Sequence, residues 1–248
     1  MTINHYMKII ILIRRLHIVY NDSELKQLLD SLRIQKLSKP VRIAFVNAHG
    51  FNMCYKDATF LNDLLDCDYI FRDGSGIKLL FKVLGKDAGL NLNGTDLIPK
   101  IIKEYKGYEI ALLGTEKKYL DKSSAKINDM GVKTSLMIDG FKDDCTYQKA
   151  IRKSHPQLVI LAMGMPKQER VARLLSKTEA PCLIICGGAI LDFIGGKVTR
   201  APIIFRKYGM EWLFRLMMEP RRLFKRYIIG NFMMIIRAIK ISFIYKRL

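Results

Sequence analysis

The sequence predicts an α/β chain: a Rossmann-like, mostly parallel sheet with helices on both faces, followed by a basic amphipathic helical C-terminal appendage. Three observations lead there. Short apolar runs alternate with stretches of helical periodicity through the first two hundred residues, as βαβ units require. Most of those runs are near-continuous rather than alternating, the pattern of strands covered on both faces. Third, residues 200–248 hold twelve Lys/Arg against two acids, Glu211 and Glu219, so more than half of the chain's net charge of +19 sits in its last fifth, among Met, Ile, Leu and Phe.

The elements follow in order. Residues 8–13 form an apolar run stopped by Arg14 and Arg15. It is too short for a signal peptide, lacks a small-residue cleavage site, and reads as a first core strand. A helix at 22–32 leads to a strand at 42–46, and a helix at 58–65 to a short strand at 69–71. Helices at 76–84 and 96–105 precede a strand at 109–113. Then come helix 117–130, strand 133–138, helix 145–153, strand 158–162, helix 167–176 and strand 182–186. Pro166 stands at the start of its helix, where a missing N–H costs little. The expected division is an α/β domain over residues 1–199, which carries the chemistry, and the appendage over 200–248.

The totals set bounds. A chain of 248 residues, half of them apolar, suits one domain with an appendage and excludes global disorder. The five cysteines, Cys54, Cys67, Cys145, Cys182 and Cys186, have no framework spacing and read as free thiols of a reducing cytoplasm. In the tail, Arg221, Arg222, Lys225 and Arg226 share one helical face, and Leu223, Phe224, Tyr227 and Ile228 the other. Such a helix suits an anionic membrane surface or a pyrophosphate. Nucleic acid is the rival reading of the same charge, but no nucleic-acid module or stacking platform accompanies it. The most apolar piece, 232–245, is interrupted by Arg237 and Lys240 and falls short of the ~20 residues a bilayer crossing takes. It reads as interfacial; off lipid, it would pack on the domain or on a second subunit, making a homo-oligomer.

Ligands of such sheets bind beyond the carboxyl ends of the strands. There lie Asn47-Ala48-His49-Gly50, Arg72-Asp73-Gly74-Ser75-Gly76, Gly114-Thr115, Asp139-Gly140-Phe141, Gly164-Met165-Pro166-Lys167-Gln168-Glu169 and Gly187-Gly188-Ala189. Asp73 has two readings, a base for an attacking hydroxyl and a cap on the next helix. Asn93-Gly94-Thr95-Asp96 likewise reads as a phosphate- or sugar-binding helix start or as simple capping. Gln168 and Glu169 suit a sugar or uracil edge, or a solvated first turn. The full Gly-x-Gly-x-x-Gly dinucleotide fingerprint is lacking, which argues against a nucleotide-cofactor enzyme. Asp66-Cys67-Asp68 is formally Asp-x-Asp but lies at the wrong end of its strand for a site metal, and His5, His17, His49 and His155 have no ligand spacing. A membrane- or nucleic-acid-associated binding protein without turnover is the other alternative.

Taken together, these motifs resemble the WecG/TagA/CpsF family of bacterial glycosyltransferases. Asp73-Gly74-Ser75-Gly76, Asn93-Gly94-Thr95-Asp96-Leu97, Pro166-Lys167-Gln168-Glu169, Gly209-Met210-Glu211-Trp212-Leu213 and Glu219-Pro220-Arg221-Arg222 carry the likeness, which runs from about residue 18 to 240. The resemblance implies an inverting, metal-independent transfer of a hexose-type sugar, N-acetylmannosamine-like or glucose-like, from a UDP-sugar to a polyprenyl-pyrophosphate-linked sugar, with no cofactor. It implies work in cell-surface polysaccharide synthesis, at the cytoplasmic face of the cell membrane. It places the catalytic base on Asp73 and donor contacts on Asn47, Thr95, Asp96, Gly164, Gln168 and Glu169. Arg215, Arg221 and Arg222 become the appendage arginines that touch pyrophosphate. Asp73, Thr95 and Gln168 are then expected in one cleft. Phe45, where many relatives have Thr, and His49-Gly50 depart from the pattern and bear on sugar identity.

Overall fold

The computed structural model describes residues 3–177 and 180–245. Lys246, Arg247 and Leu248, the end of the expected appendage, lie outside the described residues. The strands are β1 (Val41–Val46), β2 (Tyr69–Arg72), β3 (Glu109–Gly114), β4 (Lys133–Ile138), β5 (Leu158–Ala162) and β6 (Leu183–Cys186). They form one sheet in the order β2-β1-β6-β5-β3-β4, every pairing parallel. Its side chains alternate between two cores. Ala44, Val46, Ile70, Val159, Leu161 and Ile184 enter one; Ile43, Phe45, Phe71, Ile160, Leu183 and Ile185 enter the other. Burial on both faces is why the strands read as unbroken apolar runs. At the edge, β4 alternates instead, with Lys133, Ser135 and Met137 exposed.

The helices of the α/β part are α1 (Ile3–Arg15), α2 (Asp22–Ser31), α3 (Ala48–Cys54), α4 (Ala58–Leu65), α5 (Ser75–Val83), α6 (Gly94–Glu104), α7 (Lys117–Asn128), α8 (Asp144–Ser154), α9 (Lys167–Leu175) and α10 (Ile190–Ile194). Helices α1, α3, α4, α5, α8 and α9 cover the first face, and α2, α6, α7 and α10 the second.

The first expected strand is a correction: residues 8–13 lie in α1. Ile9, Ile10, Leu12 and Ile13 are buried while Ile11 is exposed, the spacing of a helix face laid on α4. A short isoleucine-rich run fits either period, and packing decides. Helix α3 was not expected either. Its Gly50 and Asn52 weaken the helical pattern, but Asn47 caps it through Oδ1, which accepts from Gly50 N–H at 3.0 Å.

After β6 the chain builds α11 (Ile203–Lys207), α12 (Glu211–Met218), α13 (Pro220–Phe224), a π-helical turn (Lys225–Ile229) and α14 (Gly230–Tyr245). From Pro220 to Tyr245 the helix is continuous over 26 residues, long and apolar enough by length and composition to cross a membrane. The expectation of a span too short counted only from 232; the helix continues back through the basic turn. Its Met234, Ala238 and Ile241 are buried in the first core, while Ile229, Phe232, Ile235, Ile239 and Phe243 are exposed. A polar latch sets its register. Arg237 donates to Asn52 O at 3.0 Å and Oδ1 at 2.6 Å and lies 4.6 Å from the Tyr55 ring centroid, while Asn52 Nδ2 donates to Gly230 O at 2.7 Å.

Candidate functional site

From β1 the chain passes through Asn47 into α3 on the first face. From β6 it passes through Gly187-Gly188 into α10 on the second. Neighbouring strands that part in this way open a crevice at their carboxyl ends. The start of α6 lies on it: a Cβ added to Gly94 would come 3.6 Å from the Phe45 ring. Thr95 follows, half-buried.

Asp73 stands next to the crevice, one residue beyond β2. Its N–H donates to Val46 O at 2.8 Å, extending the parallel pairing by one step. The side chain of Asn47 lies beside its carboxylate and favours its ionised form. Because Asn47 Oδ1 is taken by Gly50 N–H, the Asn47 amide nitrogen is the donor available to Asp73. Burial pushes the Asp73 carboxyl up. Asn47 and the charges of Arg226, Arg215 and Arg72 pull the other way without cancelling it. The result is a carboxylate fixed in direction and made more basic, as a general base requires.

Asp96 is largely committed to structure. It shares a reciprocal cap with Asn93 (Asp96 N to Asn93 Oδ1 at 2.9 Å, Asn93 Nδ2 to Asp96 Oδ2 at 2.7 Å) and takes a bond from Arg200. Burial raises its carboxyl, but the Arg200 and Asn93 bonds outweigh this and hold it low. Gly164 adopts φ +79°, a backbone open to glycine. Gln168 and Glu169 do not line a solvated first turn: Gln168 is 1% exposed and Glu169 0%. Gln168 Oε1 accepts from Gly188 N–H at 2.9 Å, and its Nε2 donates to Glu169 Oε1 at 2.8 Å. Gln168 thus sets the Gly187-Gly188 turn at the crevice from beneath, while Glu169 lies wholly inside the protein.

The appendage folds over Asp73. A Cβ added to Gly209 would lie 3.4 Å from Ser75 Cβ, which puts the corner between α11 and α12 on the Asp73-Gly74 turn. Four half-buried arginines, Arg200, Arg206, Arg215 and Arg226, each bury an Nε with no hydrogen-bond partner among the described residues. Guanidinium donors left over in a partly dry site suit an anion with several oxygens, such as a diphosphate. Of the expected tail residues, Arg215 belongs to this group and faces Phe193, 5.6 Å from its ring centroid. Arg221 is exposed, and Arg222 pairs with Glu219 at 2.7 Å.

Sequence reasoning gave Arg200, Arg206 and Glu211 no role at the site and placed Arg226 only on the basic face of the tail. Glu211 is half-buried; burial and the charges of Asp73 and Asp96 raise its carboxyl against the pull of Arg200 and Arg206. The pairing of Glu211 with Arg206 and Arg215 in one basic helical segment was the available signal, but nothing local says which side of a helix faces Asp73. His49, at the start of α3, is driven down to about 4 by burial and by Arg226 and Lys56, so it is neutral at pH 7. Asp68 accepts Arg42 N–H at 2.8 Å at the far end of the sheet, away from the crevice. Among the described residues no group of three or more His, Cys, Asp or Glu is placed to hold a metal ion.

The sequence profile of the glycosyl transferase WecG/TagA/CpsF family matches residues 13–247. The chain is 25% identical over 209 residues to an N-acetylglucosaminyldiphosphoundecaprenol N-acetyl-beta-D-mannosaminyltransferase of Bacillus spizizenii, 81% of each chain being covered. It is 25% identical over 213 residues to the enzyme of that description from Bacillus subtilis, covering 83% of each. With the one from Staphylococcus aureus it is 26% identical over 187 residues, covering 73% of each.

Proposed function

The chain belongs to the WecG/TagA/CpsF family of glycosyl transferases, and we propose that it moves a hexose-type sugar from a UDP-sugar to a polyprenyl-pyrophosphate-linked sugar, with inversion and without a metal ion. The observation that carries this reading is Asp73: a basic carboxylate aimed by Asn47 and faced by arginines of the appendage. In the reaction the acceptor hydroxyl oxygen attacks the anomeric carbon, the bond from that carbon to the diphosphate oxygen breaks, and UDP leaves with the electron pair. The hydroxyl proton passes to Asp73. Developing negative charge on the departing diphosphate falls to donors fixed in advance, the unpartnered Nε–H groups of Arg206, Arg215 and Arg226 and the N–H groups of Gly94 and Thr95, for which the helix itself supplies no acceptor. The acceptor class follows the relatives, which the names describe as acting on N-acetylglucosaminyldiphosphoundecaprenol.

A lipid-linked acceptor requires the site to sit at a membrane. The exposed side of α14, with Ile203, Ile204, Met217 and Met218 from α11 and α12, supplies the apolar surface, and the tail's cations supply attraction to anionic headgroups on the cytoplasmic leaflet. Residues 1–199 form the reacting domain in this reading, and 200–248 the appendage that closes the site and docks it peripherally. The test is UDP release from a panel of UDP-hexoses in EDTA, with and without a lipid-pyrophosphoryl-sugar acceptor. Wild type should show acceptor-dependent release, and Asp73→Asn should lose about 10²–10⁴ of it, the range for a positioned base. Release abolished by EDTA would refute metal independence, and an unimpaired Asp73→Asn would refute the base.

A further inference from the structure

We infer that Arg72 and Asn91 are positioning residues that hold the Asp73 turn and the start of α6 as one rigid unit; the inference rests on the reading of Asp73 as the base. Arg72 ends β2 and is 4% exposed, yet among the described residues no carboxylate pairs with its guanidinium at hydrogen-bond distance. A buried cation needs fixed acceptors. Arg72 finds them in the irregular segment between α5 and α6: Nε donates to Ala88 O at 2.6 Å, Nη2 to Gly89 O at 2.6 Å and Nη1 to Asn91 Oδ1 at 3.1 Å. The planar fork dictates the directions of all three bonds.

Asn91 Oδ1 takes a second donor, Gly74 N–H, at 3.2 Å. Both of its acceptor positions are then filled, and its side chain cannot rotate without breaking a bond on each side. Gly74 has φ +81°, a conformation that its own chain does little to favour and that the Asn91 bond holds. Asp73 is therefore held on both sides, its N–H on Val46 O and the next peptide on Asn91, with Asn47 beside its carboxylate.

The segment cannot yield toward the other side. Leu90 N–H donates to Val19 O at 2.7 Å, and Gly89, at φ +59°, packs so tightly that an added Cβ would come 2.5 Å from Val19 O. Two residues beyond Asn91, Asn93 caps α6, whose first residue Gly94 lies on the crevice. Arg72 thus ties the base and the proposed diphosphate-binding helix start to one anchor, so the distance between them is not left to loop motion. Its charge also moderates the upward push on Asp73.

The variants are Asn91→Ala and Asn91→Asp, chosen because Asn91 is exposed and its loss leaves the core intact. The readouts are kcat and donor KM across pH 5–9, with Asp73→Asn alongside and thermal melts of every variant. Asn91→Ala should lose about tenfold or more in kcat, the order expected when a reacting group drifts by a fraction of an ångström, with donor KM changed far less. Asn91→Asp, which keeps the acceptor oxygen, should recover most of kcat and displace the acid limb upward, since a second carboxylate disfavours ionisation of Asp73. Wild-type kcat in a folded Asn91→Ala, or an equal loss in both Asn91 variants, overturns the clamp. If Asp73→Asn is dead while Asn91→Ala is normal, the clamp alone falls; if Asp73→Asn is active, base and clamp fall together.

Discussion

Glu169 offers a prediction whose size follows from burial. The carboxyl is fully enclosed, with Oε1 bonded by Gln168 and Oε2 without a partner among the described residues. Burial, helped by the charge of Asp63 and opposed by the Gln168 bond, raises it from 4.5 to about 7. The unfolded chain gives up this proton near 4.5; the native protein keeps it until about 7. Between those values the native state binds more protons than the unfolded one, so stability falls as pH rises. The stabilisation is complete below 4.5 and lost once pH passes the native value. That interval, at ~1.4 kcal/mol per pH unit, amounts to roughly 3 kcal/mol. Glu169→Gln retains the shape and the oxygen that Gln168 bonds, and it replaces the single acid O–H with the two N–H donors of an uncharged amide. The two proteins should therefore be close in stability at pH 5, and the variant should be more stable by about 2–3 kcal/mol at pH 8. Urea unfolding of both proteins at the two pH values measures this, and comparing the pair cancels the titration of every other group. Curves that shift in parallel with pH would show that Glu169 titrates normally and refute the buried proton.

Two further outcomes concern the appendage. Arg237→Ala removes two charge-assisted bonds to Asn52 and the contact over Tyr55, and should weaken the docking of α14 by about 2–3 kcal/mol, read as faster amide exchange confined to that helix. Unchanged exchange in α14 would show that its apolar face alone holds it. Ile235→Glu, on the exposed side of the same helix, should leave the fold intact and reduce cosedimentation with anionic vesicles severalfold at low salt. Undiminished cosedimentation would move the membrane contact elsewhere.

Much of the sheet was legible because its signals are local. Residues 133–138 and 158–162 are strands at the expected bounds, and 58–65 a helix, since continuous apolar runs and helical spacing need no knowledge of partners. The α1 segment was misread for the same reason: the run of isoleucines fits two periods, and only its burial against α4 selects the helix. The predicted strand exits singled out Asn47 and Asp73 by topology, and the helix-start pattern Asn93-Gly94-Thr95-Asp96 singled out Thr95, before any geometry was available. Gln168 and Glu169 were read as projecting at the strand edge, whereas both point inward and are buried.

Most of the order of elements, the edge of the sheet at which the crevice opens, and the basic, apolar character of the tail are readable from sequence, because each is written within a window of a few residues. Tertiary structure decided which arginines meet Asp73, that Arg72 is clamped by a segment 16 to 19 residues away, and that α14 buries one face in the first core while exposing the other. Those facts depend on how surfaces distant in sequence fit together, and the energies that select them, desolvation of charges and burial of apolar area, exist only once the chain has closed on itself.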